Sequence, residues 1–368
     1  MSTNNAAIFS GSLEDPSKIV EIKQVPYPKA SDDQLIVKAV AYAINPTDWK
    51  QIYFGLTPKG SITGSDVSGI VESVGANVKG FAKGDYVSTF VQGNVSPDFG
   101  GFQNYVRADP STTLKFDPKQ ISEDALKEGD YESSITKSFE GAASLPLGLT
   151  TVSISFASNL EIPLSKEANK GKSILIWGGA TATGILAIQV AKQIYGLNVL
   201  TTASSKNHEY LKSIGADETF DYRDPKSLEQ LTKFDISYAL DTVSADNTFQ
   251  QTYDATKGSS NVRLDNLLFI QDKDLKKDDR SGKHTVVNST LAYVAVGRPI
   301  NAYGMTLEIT PEQFTRFKEL WFNVLPNHLS SIKHANLKVL KSGLESANEG
   351  FELNKQGKVS AQKVVFRV

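Results

Sequence analysis

The chain of 368 residues contains no cysteine. That excludes disulfides, thiolate nucleophiles and every zinc site that needs a cysteine ligand. Histidine is almost as scarce: His208, His284, His328 and His334 are scattered, and none pairs with another at a two-histidine metal spacing. No bound metal is expected. No apolar run reaches the roughly 18 residues that a membrane-spanning helix requires, so no membrane partner is expected. Met1-Ser2-Thr3-Asn4-Asn5 lacks the basic flank and apolar run of a secretory signal, and the chain reads as cytoplasmic. An excess of one charge is missing too. Lys and Arg total 39 against 41 Asp and Glu, a net charge of −2, which leaves no basic field to hold nucleic acid.

What is present builds cores. Hydrophobic residues make up 40% of the chain and charged residues 22%, and the length suits two domains of roughly 100–200 residues each. Up to about residue 107 the texture is β. Ile19-Val20-Glu21-Ile22, Leu35 to Val40, Gly69 to Gly75, Gly84 to Val87 and Phe102 to Val106 are short apolar runs punctuated by Pro and Gly. That pattern predicts a strongly bent barrel. Residues 118–138 are polar and read as a surface excursion. From about residue 172 strand and helix alternate: Ser173 to Trp177, a helix over 184–195, Asn198 to Thr202, a helix over 206–213, Thr219-Phe220, and Ile236 to Leu240. Alternation of this kind predicts a parallel sheet with helices on its faces. The Lys- and Asp-rich stretch from Gln271 to Lys283 reads as a solvated loop. An amphipathic helix from Glu312 to Val324 and a strand from Ala361 to Val368 close the chain.

The strongest chemical signal is Trp177-Gly178-Gly179-Ala180-Thr181-Ala182-Thr183-Gly184, between an apolar strand and the helix that starts at Ile185. Glycines let the backbone turn sharply and approach a pyrophosphate, and a helix N-terminus offers unpaired N–H groups. Gly179, Ala180, Thr181, Ala182 and Thr183 are therefore candidate cofactor contacts. The motif departs from GxGxxG by its two threonines. About 20 residues on, an NAD enzyme places an acid for the ribose hydroxyls; here the second strand ends in Ala203-Ser204-Ser205-Lys206. Two hydroxyls and a cation suit a 2′-phosphate, which an acid would repel, so NADPH is expected over NADH. The plainer alternative is a helix-capping Ser followed by a surface Lys. Tyr222 and Arg223 at the next strand end, and Thr242 and Val243 after the fourth strand, are further candidates, each open to an ordinary surface or packing role.

Read together, these residues resemble the medium-chain dehydrogenase/reductase family, in its zinc-free quinone oxidoreductase and fungal enoyl reductase-like branch. The resemblance spans nearly the whole chain. It rests on Asn45-Pro46-Thr47-Asp48-Trp49-Lys50, on Gly64-Ser65-Asp66-Val67-Ser68-Gly69 running on to Gly75, and on Phe81-Ala82-Lys83-Gly84-Asp85-Tyr86-Val87. Ala142 to Thr151, Gly343-Leu344-Glu345 and Gly357 to Val365 complete it. It implies an α/β fold: a GroES-like β-barrel catalytic domain from residues 1–150 and 296–368, and a doubly wound Rossmann domain with a parallel sheet from 151–295. It also implies a reason for the missing metal. Zinc-dependent relatives carry Cys where this chain has Asn45, and a His-Glu pair where it has Ser65-Asp66.

The chemistry then expected is zinc-independent hydride transfer from NADPH to an activated C=C bond of an enone, enal or quinone. Charge collects on the carbonyl oxygen and one good hydrogen-bond donor suffices. Asn45, Lys50 and Tyr53 are the candidate catalytic donors. Surface pairing for Lys50, barrel packing for Tyr53 and a turn-holding role for Asn45 are the alternatives. Asp48 orients neighbours. Some enoyl reductases of the family place a catalytic Tyr where Leu56 stands here. Tyr293, on an expected late strand from Leu291 to Gly297, lines the pocket or faces the sheet. The rival readings are an NADPH-dependent aldehyde reductase of the same fold, an enoyl reductase acting on carrier-bound chains, and a non-catalytic NADPH sensor. A small carbonyl or enone substrate is the expected partner, with the chain a monomer or homodimer.

Overall fold

The computed structural model describes residues 4–245, 247–280, 282–302 and 304–368. These divide into two units, one of residues 1–150, 293–309 and 329–368, the other of residues 151–292 and 310–328.

The first unit is a curved, mainly antiparallel barrel sheet. Its strands lie in the order Thr113–Phe116, Tyr86–Phe90, Asp66–Val74, Leu35–Ala43, Gln362–Arg367, Asn336–Val339, Gly129–Tyr131, with Tyr105–Ala108 also pairing Leu35–Ala43. Asn4–Phe9 and Val20–Val25 form a separate antiparallel pair. The tight bend is written at Gly69, where a Cβ would lie 2.0 Å from the Lys38 carbonyl oxygen, so only glycine fits the register shift. Tyr42, Phe102 and Phe366 meet at ring separations of 5.1–5.5 Å in the core. The buried Tyr42 hydroxyl is satisfied by the Gln103 carbonyl at 2.9 Å. Residues 118–138 contribute the short strand Gly129–Tyr131, paired with Asn336–Val339.

The second unit is a six-stranded parallel sheet. Numbered along the chain, its strands are Ser173–Trp177, Asn198–Thr202, Glu218–Phe220, Ile236–Asp241, Asn261–Asn266 and His284–Ser289. Their spatial order is third, second, first, fourth, fifth, sixth. The order reverses between the first and fourth strands, which is where doubly wound sheets bind ligands. Ser173–Trp177 is buried at every position, hence its unbroken apolar sequence.

Two expectations need correction. Residues 310–328 group with the second unit, where Ser158 Oγ donates to the Gln313 carbonyl at 2.9 Å. There Arg316 Nε also donates to the Ala157 carbonyl at 3.1 Å. The expected late strand around Tyr293 is a 3-10 helix, Ala292–Val296. The charged stretch 271–283 is mostly exposed, as expected of a solvated loop, with one anchor where the Arg280 guanidinium sits 3.6 Å over the Tyr253 ring and donates to the Tyr253 carbonyl at 2.7 Å.

Candidate active site

In the first unit the helix Pro46–Tyr53 starts against a buried polar cluster. Pro46 occupies the first helical position, where its missing N–H costs nothing. Asn45 precedes it, and its backbone N–H donates to Asp48 Oδ2 at 2.7 Å. The other Asp48 oxygen accepts from Ser65 Oγ at 2.6 Å. Asn45 Nδ2 donates to Asp66 Oδ2 at 2.9 Å, and Asp66 Oδ1 accepts the Leu147 N–H at 2.8 Å. The cluster is closed by Lys363, only 5% exposed. Its ammonium donates to Asn45 Oδ1 and lies 3.5 Å from Asp66 Oδ2. Burial pushes the Asp48 carboxyl up to about 7, against the pull of Ser65 and the Asn45 N–H. Burial also raises Asp66, opposed by Lys363, and lowers Lys363, opposed by the two carboxylates.

One turn along the same helix, Gln51 Nε2 donates to Thr47 Oγ1 at 2.6 Å and to the Tyr293 hydroxyl at 2.7 Å. Thr47 and Tyr293 hydroxyls stand 3.0 Å apart. Spacing of four residues puts Thr47 and Gln51 on one helix face. The Tyr293 ring packs on Phe90 at 5.5 Å, and both line a cavity of about 280 Å³ with Val91, Gln92, Phe99 and Val296.

None of the three donors proposed from sequence lines that cavity. Asn45 is spent on Asp66 and Lys363. The Tyr53 hydroxyl donates to Glu352 Oε1 at 2.9 Å under the Lys355 ammonium. Lys50 is half-buried, its ammonium 6.0 Å from the Trp49 ring centre, and burial lowers its pKa. Lys363 and the Thr47–Gln51 pair were missed. A signal for Lys363 existed: in Gln362–Arg367 it shares a strand face with Val365, an inward position for a charge.

In the second unit the glycine turn is built as a phosphate cradle requires. Gly178 takes φ +83°, and a Cβ on Gly179 would fall 2.1 Å from Thr201 Oγ1. At Gly184 a Cβ would lie 2.4 Å from the Gly178 carbonyl oxygen, so the helix Ala182–Val190 starts pressed on the turn. Thr181 caps that helix, accepting the Gly184 N–H at 2.9 Å and donating to Thr242 Oγ1 at 2.8 Å. Thr242 Oγ1 in turn lies 2.8 Å from the Trp177 carbonyl. First-turn N–H groups lack an intrahelical acceptor. Thr181 takes that of Gly184, leaving those of Ala182 and Thr183 for an anion. Ala180, Thr181, Ala182, Thr183 and Val243 are half-buried, whereas Gly179 is buried behind them.

At the next strand ends the structure adds an acid. Asp221 Oδ2 accepts from Ser205 N–H at 3.1 Å and Ser205 Oγ at 2.6 Å. The guanidinium of Arg223, 2.6 Å away, and these bonds hold the Asp221 carboxyl far below the usual range. Ser204 and Tyr222 hydroxyls are 3.5 Å apart, and Lys206 is exposed.

Residues 31–118 match the alcohol dehydrogenase GroES-like domain and residues 182–262 the zinc-binding dehydrogenase domain. Trans-enoyl reductase ACTTS2 of Alternaria alternata is 33% identical over 95% of this chain and 96% of its own. The uncharacterized protein YNL134C of Saccharomyces cerevisiae is 33% identical over 95% and 94%. The chain belongs to the medium-chain dehydrogenase/reductase family. A quinone oxidoreductase structure from Coxiella burnetii, 22% identical, superposes with a TM-score of 0.64 over the whole of both chains and shares the fold. As a family member this chain is an oxidoreductase of the enoyl reductase-like branch, and its fold implies a nicotinamide dinucleotide, which the turn and helix start fit.

Zinc, the metal of other medium-chain dehydrogenases, does not fit. An amide, a hydroxyl and one carboxylate stand at Asn45, Ser65 and Asp66. The Lys363 ammonium already occupies the oxygens of Asn45 and Asp66. Among the described residues no three His, Cys, Asp or Glu are grouped to hold a metal, and no helix is long and apolar enough to cross a membrane.

Proposed function

We propose that this oxidoreductase uses NADPH to reduce activated C=C bonds of enones, enals or quinones without a metal. The observation that carries the reading is the Tyr293 hydroxyl of a cavity wall, hydrogen-bonded to Thr47 and Gln51. A nicotinamide, when bound, supplies hydride. The protein's part is to hold the carbonyl compound and supply a proton. The Tyr293 oxygen accepts from Gln51, so its own proton is directed to Thr47 or to an acceptor in the cavity. As that proton leaves, the Gln51 N–H stabilises the developing charge, and Thr47, 3.0 Å away, can resupply it. The names of relatives, trans-enoyl reductase and quinone oxidoreductase, support this substrate class. Ser204, Ser205, Lys206 and Arg223 support NADPH, and the opposing charge of Asp221 is already paired.

Product analysis tests the reading. Incubation with NADPH and cinnamaldehyde, with NADH in parallel, is expected to give the saturated aldehyde, faster with NADPH. An allylic alcohol would instead assign an aldehyde reductase, and no NADPH oxidation would refute both. Tyr293→Phe is expected to lower kcat about 100-fold with little change in KM, the scale of a lost general acid. An undiminished kcat would remove Tyr293 from the chemistry.

A further inference from the structure

The same cavity has a second, charged end. Gln34, Arg107, Asp109 and Arg298 line it. Arg298 binds Asp109 through two parallel bonds, Nη1 to Oδ1 at 2.7 Å and Nη2 to Oδ2 at 3.0 Å. A bidentate pair of this kind leaves Asp109 neutralised. Arg107 is different. Its Nη1 donates to the Lys29 carbonyl at 3.3 Å, and its guanidinium sits 4.8 Å over the Phe99 ring. Its Nε–H is buried with no hydrogen-bond partner, and no carboxylate pairs with it among the described residues. Gln92, in the wall of the same cavity, also carries a buried, unpartnered donor, Nε2. A guanidinium in a cavity wall with no carboxylate partner can be paired by an anionic group of a ligand. In this cavity the Arg298 guanidinium is paired by Asp109, whereas that of Arg107 has no counter-charge among the described residues.

We infer that the substrate carries an anionic carboxylate, bound by Arg107, in addition to its carbonyl group, with Phe99, Val296 and Phe90 between them against its apolar body. The inference rests on reading this cavity as the substrate site. The cavity, about 280 Å³, lies at the small end of the roughly 300–1,000 Å³ of ligand pockets and suits a compact acid. Arg107 is thus a specificity-determining residue. Phe90, Phe99 and Val296 set the shape, and the guanidinium selects charge.

The test compares 4-carboxycinnamaldehyde with its methyl ester as NADPH-dependent substrates of the full chain. The wild-type kcat/KM is expected to favour the acid at least tenfold. The ratio should fall to about one in Arg107→Gln and lie between these in Arg107→Lys. Because each variant serves as its own reference, a general loss of activity does not disturb the ratio. A wild-type ratio of one or less, or the same ratio in Arg107→Gln, would overturn the proposal while leaving alkene reduction intact. Calorimetric titration with 3-(4-carboxyphenyl)propanamide, which cannot be reduced, separates the two readings. If neither aldehyde is reduced yet this acid binds at least tenfold more weakly to Arg107→Gln, the anion site stands and alkene reduction falls. Equal binding to wild type and Arg107→Gln would overturn the anion site.

Discussion

A lysine side chain 5% exposed keeps its charge only if its neighbours replace the water it lost. Asn45 and Asp66 do so for Lys363, and through them the start of the Pro46–Tyr53 helix is tied to the last strand. Lys363→Met leaves Asp66 and Asp48 buried without a cation. Breaking a buried pair from one side costs about 3–5 kcal/mol, which urea unfolding should register. Adding Asp66→Asn removes the stranded charge, so the double variant should be more stable than the sum of the two losses predicts by about 1 kcal/mol or more. Strict additivity would mean that Lys363 acts alone. Asp48 gives the cluster a pH signature. Its carboxyl is raised by burial from 3.8 to about 7, so the folded state binds that proton more tightly than the unfolded state. The stability it contributes is full below about pH 4 and is lost as pH rises to 7, at up to about 1.4 kcal/mol per pH unit. The interval from pH 6 to 7 lies above the value of about 6 to which burial raises Asp265, and a difference between two chains removes the other buried carboxyls and histidines. Subtracting an Asp48→Asn stability curve from that of wild type should leave a falling difference there. A flat difference would show that Asp48 does not titrate in that range.

Between single residues and domains, the strand–turn–helix around Gly178 is the element most legible from sequence, because each of its glycines meets a steric demand of its own. Gly179 lies against Thr201, whose hydroxyl is fixed on the Ile176 carbonyl at 2.7 Å and cannot swing away from a Cβ. Gly179→Ala should cost about 1–3 kcal/mol by overpacking and weaken dinucleotide binding. Thr201→Ala in the same chain should recover part of the stability, not all, because Ile188 Cδ1 still stands 3.1 Å from the added carbon. No recovery would place the clash elsewhere. Other elements were less legible for a physical reason. The Ala292–Val296 turn carries the apolar texture of a strand, and only its tertiary contacts make it helical. Pattern rules see periodicity within a segment, so they read the residue 312–324 helix correctly as amphipathic and could not tell which unit its apolar face covers. The segment 271–283 is mostly exposed, as its charge suggested, and only the anchoring of Arg280 and Asp278 on Tyr253 lay beyond pattern rules. Thr47 and Gln51 escaped notice because neither is ionisable, and a hydroxyl–amide pair becomes chemistry only beside Tyr293, more than 240 residues away.

At the scale of the whole molecule the charges nearly cancel, at −2, so no global field draws a phosphorylated cofactor in and the choice between NADPH and NADH falls to groups within a few ångströms. Interactions among exposed charges are screened over about 10 Å at 0.1 M salt. Lys206 is exposed, whereas Arg223 is already held by Asp221 at 2.6 Å. Lys206→Glu should therefore weaken NADPH by roughly tenfold more than NADH, near the 1.4 kcal/mol that a tenfold change represents. That difference should shrink as salt rises from 0.05 to 0.5 M. Asp221→Asn works in the opposite direction. It removes the negative charge at this edge and frees Arg223 and the Ser205 donors, so NADPH should tighten by a larger factor than NADH. Thermal unfolding at matched cofactor concentrations reads both variants, since a ligand at 100 times its Kd stabilises the folded chain by about 2.7 kcal/mol. If Lys206→Glu lowers the NADPH and NADH shifts equally, these residues do not read the 2′-phosphate. A gain in Asp221→Asn alone would then assign cofactor choice to Arg223.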